Sequence, residues 1–112
     1  MSRYDVIIIG AGPGGIFAAY ELAKKAPELK VAVFEAGNSL EKRKCPIDGK
    51  KIKSCINCKT CAIMSGFGGA GAFSDGKYNI TNDFGGTLYE YIGKDTAIDL
   101  MKYVDEINLA YG

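Results

Sequence analysis

The sequence predicts an α/β protein that opens on a βαβ unit. Three observations predict it. Tyr4–Ile9 is a short, β-branched, continuously apolar run bounded by Gly10, the pattern of a strand buried on both faces of a parallel sheet. Residues 13–25 carry Ile16, Ala19, Leu22 and Ala23 at helical spacing, with Glu21, Lys24 and Lys25 toward the other side. Val31-Ala32-Val33-Phe34 is a second apolar run, closed by Glu35 and Gly37. Strand, helix and strand in this order imply a right-handed crossover between parallel strands.

The first strand is expected over residues 4–9. The helix starts at Pro13, whose missing N–H costs nothing in a first turn, and Pro27 marks its exit. The intervening turn, Gly10-Ala11-Gly12-Pro13-Gly14-Gly15, fits G-x-G-x-x-G. Gly10 permits the tight turn, Gly12 leaves bare backbone for a pyrophosphate, and Gly15 lets the helix lie close to the strand. Phosphates would then sit at the helix N-terminus, against free N–H groups and the positive end of the dipole. Glu35, 20 residues beyond Gly15, stands where an acid accepts hydrogen bonds from a ribose hydroxyl. Its charge disfavours a 2′-phosphate there. The alternative is a glycine-rich turn that binds nothing, with Glu35 simply solvated. The expected fold class is therefore the N-terminal βαβ portion of a Rossmann-type FAD/NAD(P)-binding domain.

Composition narrows the chemistry. The chain has 112 residues, one domain or part of one, and a net charge of +1 that exerts no pull on nucleic acid or acidic membranes. It has no histidine, which excludes His-based acid–base catalysis and His-containing metal sites within it. Asp5 ahead of the apolar run and the glycines within it argue against a signal peptide. No apolar stretch approaches the ~20 residues that span a bilayer. A cytoplasmic protein is expected, whose cysteines are thiols or metal ligands rather than disulfides.

All four cysteines lie between residues 45 and 61, spaced C-x9-C-x2-C-x2-C: Cys45, Cys55, Cys58 and Cys61. Four thiolates suit a zinc ion or an iron–sulfur cluster, although the spacing matches neither a zinc ribbon nor a ferredoxin motif in full. A redox-active dithiol beside Lys44, Lys50, Lys51, Lys53 and Lys59 is a second reading, and plain thiols in a polar loop a third. Beyond them, residues 66–76 form a second glycine cluster, Gly66-Phe67-Gly68-Gly69-Ala70-Gly71-Ala72-Phe73-Ser74-Asp75-Gly76. Such backbone can converge on an anion or a flat ring, or form a loose loop. After it come a short strand expected at Tyr78–Thr81, a turn at 82–86, a short helix at 87–92 and a longer one at 96–111. Leu100, Val104, Ile107 and Tyr111 would form the apolar stripe of that longer helix, with Asp95 as its cap.

Gly10-x-Gly12-x-x-Gly15-x-x-x-Ala19-x-x-Leu22 followed by Val31-x-Val33-x-Glu35-x-Gly37 resembles the N-terminal signature of the flavoprotein family that includes glutathione reductase. With the cysteine segment and the GFGGAGAFSDGK stretch behind it, nearly the whole chain resembles a group of bacterial FAD-dependent dehydrogenases. The resemblance implies FAD rather than NAD on the βαβ unit, NAD(P)H as a possible electron donor, and hydride transfer through the flavin. It also implies that Arg43 and the 68–74 loop lie near the pyrophosphate or flavin. It supplies no substrate and no oligomeric state. The expected cofactor-binding residues are Gly10, Gly12, Pro13, Gly14, Gly15, Glu35, Ala36, Arg43, Gly69 and Ala70; no residue stands out as a catalytic acid or base. Organisation is expected as a βαβ unit (1–44), a Cys- and Gly-rich segment of the same domain (45–77) and a helical continuation (78–112). Two parallel strands need further chain to cover their edges and open face, so the sequence reads as the N-terminal fragment of a longer enzyme, inactive alone. An NAD-linked dehydrogenase and a non-catalytic metal-binding module are the other two functional readings.

Overall fold

The structure is a computed structural model that describes residues 3–112. It is α/β. Strand β1 (Val6–Ile9) and strand β2 (Val31–Phe34) pair in parallel, joined by helix α1 (Pro13–Lys25). Val6 stands opposite Val31 and Ile9 opposite Phe34. The ladder continues by one bond into the glycine turn, where the Gly10 N–H donates to the Phe34 carbonyl at 2.7 Å.

β1 is shorter than the sequence pattern implied, because Asp5 is used to start the sheet. The Asp5 and Val6 N–H groups both donate to the Lys30 carbonyl, and the Lys30 N–H donates to Asp5 Oδ2 at 2.8 Å. α1 and β2 have the expected bounds. Pro13 occupies the first helical turn, and Lys24 and Lys25 in the last turn complement the dipole.

α1 covers one face of the pair. Ile8 lies beneath the start of the helix, while Ile7 and Ile9 alternate onto the other face, where Ile9 is 82% exposed. Ala19 and Ala23 of α1 line an apolar groove with Pro27, Leu29, Val31 and Val33. The chain divides into two compact units, the first ending at Ser74 and the second running from Asp75 to Gly112. In the first unit, short 3₁₀ turns at Leu40–Lys42 and Ala70–Phe73 follow β2.

The second unit holds helices α2 (Leu88–Ile92) and α3 (Lys94–Tyr111), packed on each other. No strand forms at Tyr78–Thr81, which is irregular and ends in a turn where the Asp83 N–H donates to Thr81 Oγ1. Asp95 does not cap α3. Gly93 does, at φ +83°, a conformation that strains a side-chain-bearing residue; it closes α2 and opens α3 in one step. The packed stripe of α3 agrees with expectation only in part: Ala97 is fully buried, and Ile98 and Met101 are half-buried together with the expected Val104 and Ile107. Leu100 and Tyr111 are exposed, Tyr111 being only the last turn of the helix.

Candidate functional site

The site is built on the turn between β1 and α1. Gly12 and Gly14 face open space, with nothing within 4 Å of where a side chain would begin. Gly14 and Gly15 lie in the first helical turn, where N–H groups have no carbonyl of the same helix to serve. Gly15 answers a different need. A methyl group there would run into the Gly10 carbonyl oxygen and come within 3.3 Å of Ile8 Cγ2, so only glycine lets α1 descend this close to β1. Gly12 and Gly14 are thus open above the turn, and Gly15 makes a closed contact beneath it.

Glu35, half-buried at the end of β2, ties this turn to its own loop. The Ala11 N–H donates to Glu35 Oε2 and the Gly37 N–H to Oε1, each at 2.8 Å. The Ala11 bond, then the Gly37 bond and the nearby Arg43 charge hold the carboxyl below the ordinary glutamate range. Glu35 therefore stays ionised, and each oxygen keeps a lone pair that a ribose hydroxyl could meet. Ala36 beside it is exposed.

The second glycine cluster packs directly on the first. The Gly68 N–H donates to the Ala11 carbonyl at 2.7 Å, and the Phe67 N–H to Asn38 O at 2.9 Å. A side chain on Gly69 would begin 3.1 Å from Gly12 Cα and 3.2 Å from Pro13 Cδ. A side chain on Gly37 would begin 2.5 Å from Gly66 Cα. Ala70, at the start of the 3₁₀ turn, is exposed. Gly68 and Gly69 thus meet the first glycine turn, while Gly66 lies against Gly37 and the Arg43 side chain, pairings no spacing rule announces.

Arg43 organises that contact. It is 3% exposed, and it donates from Nε to Ala62 O, from one terminal nitrogen to Phe67 O and Gly69 O, and from the other to Ile63 O, at 2.6–2.9 Å. Its plane lies 4.8 Å from the Phe73 ring centre. Four of its five N–H groups are so consumed, and its charge is neutralised by carbonyl dipoles rather than by a carboxylate. The sequence pointed to Arg43 only through a family resemblance. Nothing in Lys42-Arg43-Lys44 marked the middle residue as buried.

The four cysteines follow Arg43 on an irregular segment; all are free thiols and exposed. Among the described residues no three His, Cys, Asp or Glu side chains gather as they would around a metal ion. No helix among them is long and apolar enough to cross a membrane.

The open glycine turn, the helix start above it and the acid tied to it lie within residues 10–37, and similarity to known proteins includes the same stretch. The model of the Thi4 family matches residues 1–41. The thiamine thiazole synthase of Yarrowia lipolytica is 64% identical over 33 residues, 30% of this chain and 10% of that protein. That of Candida albicans is 54% identical over 35 residues, 31% of this chain and 10% of that protein. An uncharacterised protein of Clostridium beijerinckii is 39% identical over 71 residues, 63% of this chain and 13% of its own length. The chain thus spans about a tenth of the length of these relatives. No solved structure matches.

Proposed function

We propose that this chain is the FAD-holding portion of a flavin-dependent oxidoreductase and belongs to a Rossmann-type domain. The ADP half of the cofactor would rest on Gly10–Gly15, its pyrophosphate above Gly12 and Gly14 and its adenosine ribose at Glu35. The observation that carries this reading is the Glu35 clamp: the acid reaches back to Ala11 inside the turn, so ribose acceptor and phosphate cradle form one rigid piece. Open space at Gly12 and Gly14 fits a pyrophosphate, and the 3₁₀ turn Ala70–Phe73 would form the neighbouring wall.

When bound, FAD supplies the hydride-accepting chemistry. The residues of this chain bind and orient: the first-turn N–H groups face the phosphates, Glu35 accepts from the ribose, and Arg43 fixes the Gly66–Gly71 backbone beside them. No side chain here is offered as acid or base. The 33–35-residue matches to thiamine thiazole synthases are short enough to concern the nucleotide grip rather than their reaction. The 71-residue match to the Clostridium beijerinckii protein is too long for the βαβ unit alone, and so favours a shared segment beyond it.

Titration with FAD, followed by flavin fluorescence and by competition with ADP and NAD, tests the reading. FAD is expected to bind and ADP to displace it, with NAD the weaker competitor. Gly12→Ala should leave the unfolding midpoint in place and Gly12→Val should weaken FAD by tenfold or more, since a Cβ at Gly12 enters open space where the pyrophosphate would lie. FAD binding that ADP does not displace, or that Gly12→Val leaves unchanged, would remove the turn as the site.

A further inference from the structure

The net charge of +1 conceals a local imbalance. Lys42, Lys44, Lys50, Lys51, Lys53 and Lys59 fall within 18 residues, and Asp48 is the sole carboxylate between Glu41 and Asp75. All six lysines are exposed, and none makes an ion pair among the described residues. Arg43 stands among them in sequence but is buried, its donors directed onto the carbonyls of Ala62, Ile63, Phe67 and Gly69. The exposed cations of this segment are therefore lysines alone.

The loop that carries them is shaped at both ends. At its base, Arg43 reaches across to Ala62 and Ile63 and joins the two ends of the segment. At its tip the Asp48 and Gly49 N–H groups both donate to the Ile52 carbonyl, at 3.0 and 3.2 Å, which reverses the chain about Lys50. Asp48 Oδ1 accepts from the N–H groups of Lys50, Lys51 and Ile52 at 2.8–2.9 Å. The one carboxylate thus closes the turn through backbone donors and pairs with no lysine ammonium. Ile47 and Ile56, set among the lysines, are 43% and 55% exposed. No helix or strand forms between η-type turns at Leu40–Lys42 and Ala70–Phe73, and no aromatic residue lies between Phe34 and Phe67.

We propose that this lysine-rich loop docks the protein on an anionic membrane surface, with its lysines at the lipid headgroups and Ile47 and Ile56 entering the interface. Each lysine held near such a surface strengthens binding by about fivefold, and the attraction fades over a Debye length of about 10 Å at 0.1 M salt. The side chains present select this partner over two others. Protein interfaces are rich in arginine and aromatic residues and poor in lysine, the reverse of this loop. Single-stranded nucleic acid is held by stacking on aromatic rings, which the loop does not carry. A headgroup layer accepts what is here: ammonium groups that stay in water beside phosphates, and short aliphatic side chains that leave it. The contact is peripheral, since no helix among the described residues is long and apolar enough to cross a bilayer.

The test uses the fully reduced 112-residue chain, sedimented with vesicles of mixed phosphatidylglycerol and phosphatidylcholine or of phosphatidylcholine alone, at low and high salt. The chain is expected to sediment with the mixed vesicles at low salt, to leave them at high salt, and to bind phosphatidylcholine roughly tenfold more weakly or worse. Lys50→Glu/Lys51→Glu and, separately, Lys53→Glu/Lys59→Glu should each weaken binding to mixed vesicles by roughly tenfold or more. Ile47→Ser/Ile56→Ser should weaken it by roughly tenfold while the salt dependence persists. All six side chains are exposed, and circular dichroism checks that the variants fold as the parent does. Equal binding to both lipids would assign adhesion to an apolar surface such as Ile7 and Ile9 and overturn the loop as the dock. Binding to mixed vesicles that both lysine variants leave unchanged would overturn it as well. A chain that ignores mixed vesicles but binds polyglutamate or duplex DNA at the same salt would overturn the membrane and give the loop to an acidic protein or a nucleic acid.

Discussion

Glu35 and Arg43 are the two residues on which the local structure turns, and both act on backbone. The Glu35 carboxylate is held ionised by the N–H groups of Ala11 and Gly37. Because its folded-state pKa is depressed, its contribution to stability is full above the ordinary glutamate pKa of about 4.3 and is lost as pH falls through the lower folded value. Glu35→Gln should therefore be less stable than the parent at pH 7, and the gap should narrow progressively under acid, as followed by chemical unfolding at a series of pH values. Arg43→Ala leaves the carbonyls of Ala62, Ile63, Phe67 and Gly69 without their donor. A loss of about 3 kcal/mol is expected from buried groups so stranded. Arg43→Lys should recover only part of it, because an ammonium has three donors and no planar fork. Equal unfolding free energies for the parent and Arg43→Ala would contradict the buried anchor.

At the level of elements, α1 and β2 were legible to the residue, since Pro13, Pro27 and Gly37 punctuate them and the apolar periods between are unambiguous. The expected start of β1 failed because Asp5 and Lys30 exchange hydrogen bonds that no period-2 pattern encodes. The stripe of α3 holds in part: Val104 and Ile107 are half-buried as their spacing implied, whereas Leu100 and Tyr111 are exposed and the fully buried position is Ala97, which a search for large apolar residues passes over. Two glycines make opposite tests of element placement. Gly15→Ala should cost about 2 kcal/mol by forcing α1 away from the Gly10 carbonyl. Gly93→Ala should cost about 1 kcal/mol or more through its positive φ alone, since open space surrounds it. Thermal unfolding measures both; a neutral Gly15→Ala would mean that the helix does not lie so close to the strand.

For the whole molecule, the sequence conveyed the turn and the acid on which the proposed nucleotide site rests but not how the parts of the first unit meet. The open G-x-G-x-x-G turn and the link from Glu35 to it were legible because the motif fixes their spacing. The seating of Gly69 on Gly12 and Pro13 was not, because so close an approach leaves only a density of small residues in the sequence. The two-stranded sheet leaves Ile7, Ile9 and Phe34 exposed. An apolar face of this kind should bind a hydrophobic dye and favour self-association, both reduced in an Ile7→Thr/Ile9→Thr double variant. The central claim is that the Gly10–Gly15 turn and Glu35 grip one nucleotide, and amide chemical shifts recorded during FAD titration test it most directly. The N–H signals of Ala11, Gly12, Gly14, Gly15 and Gly37 are expected to move together with one affinity, while those of α3 stay still. Saturable FAD binding that leaves these five amides unmoved would contradict the claim.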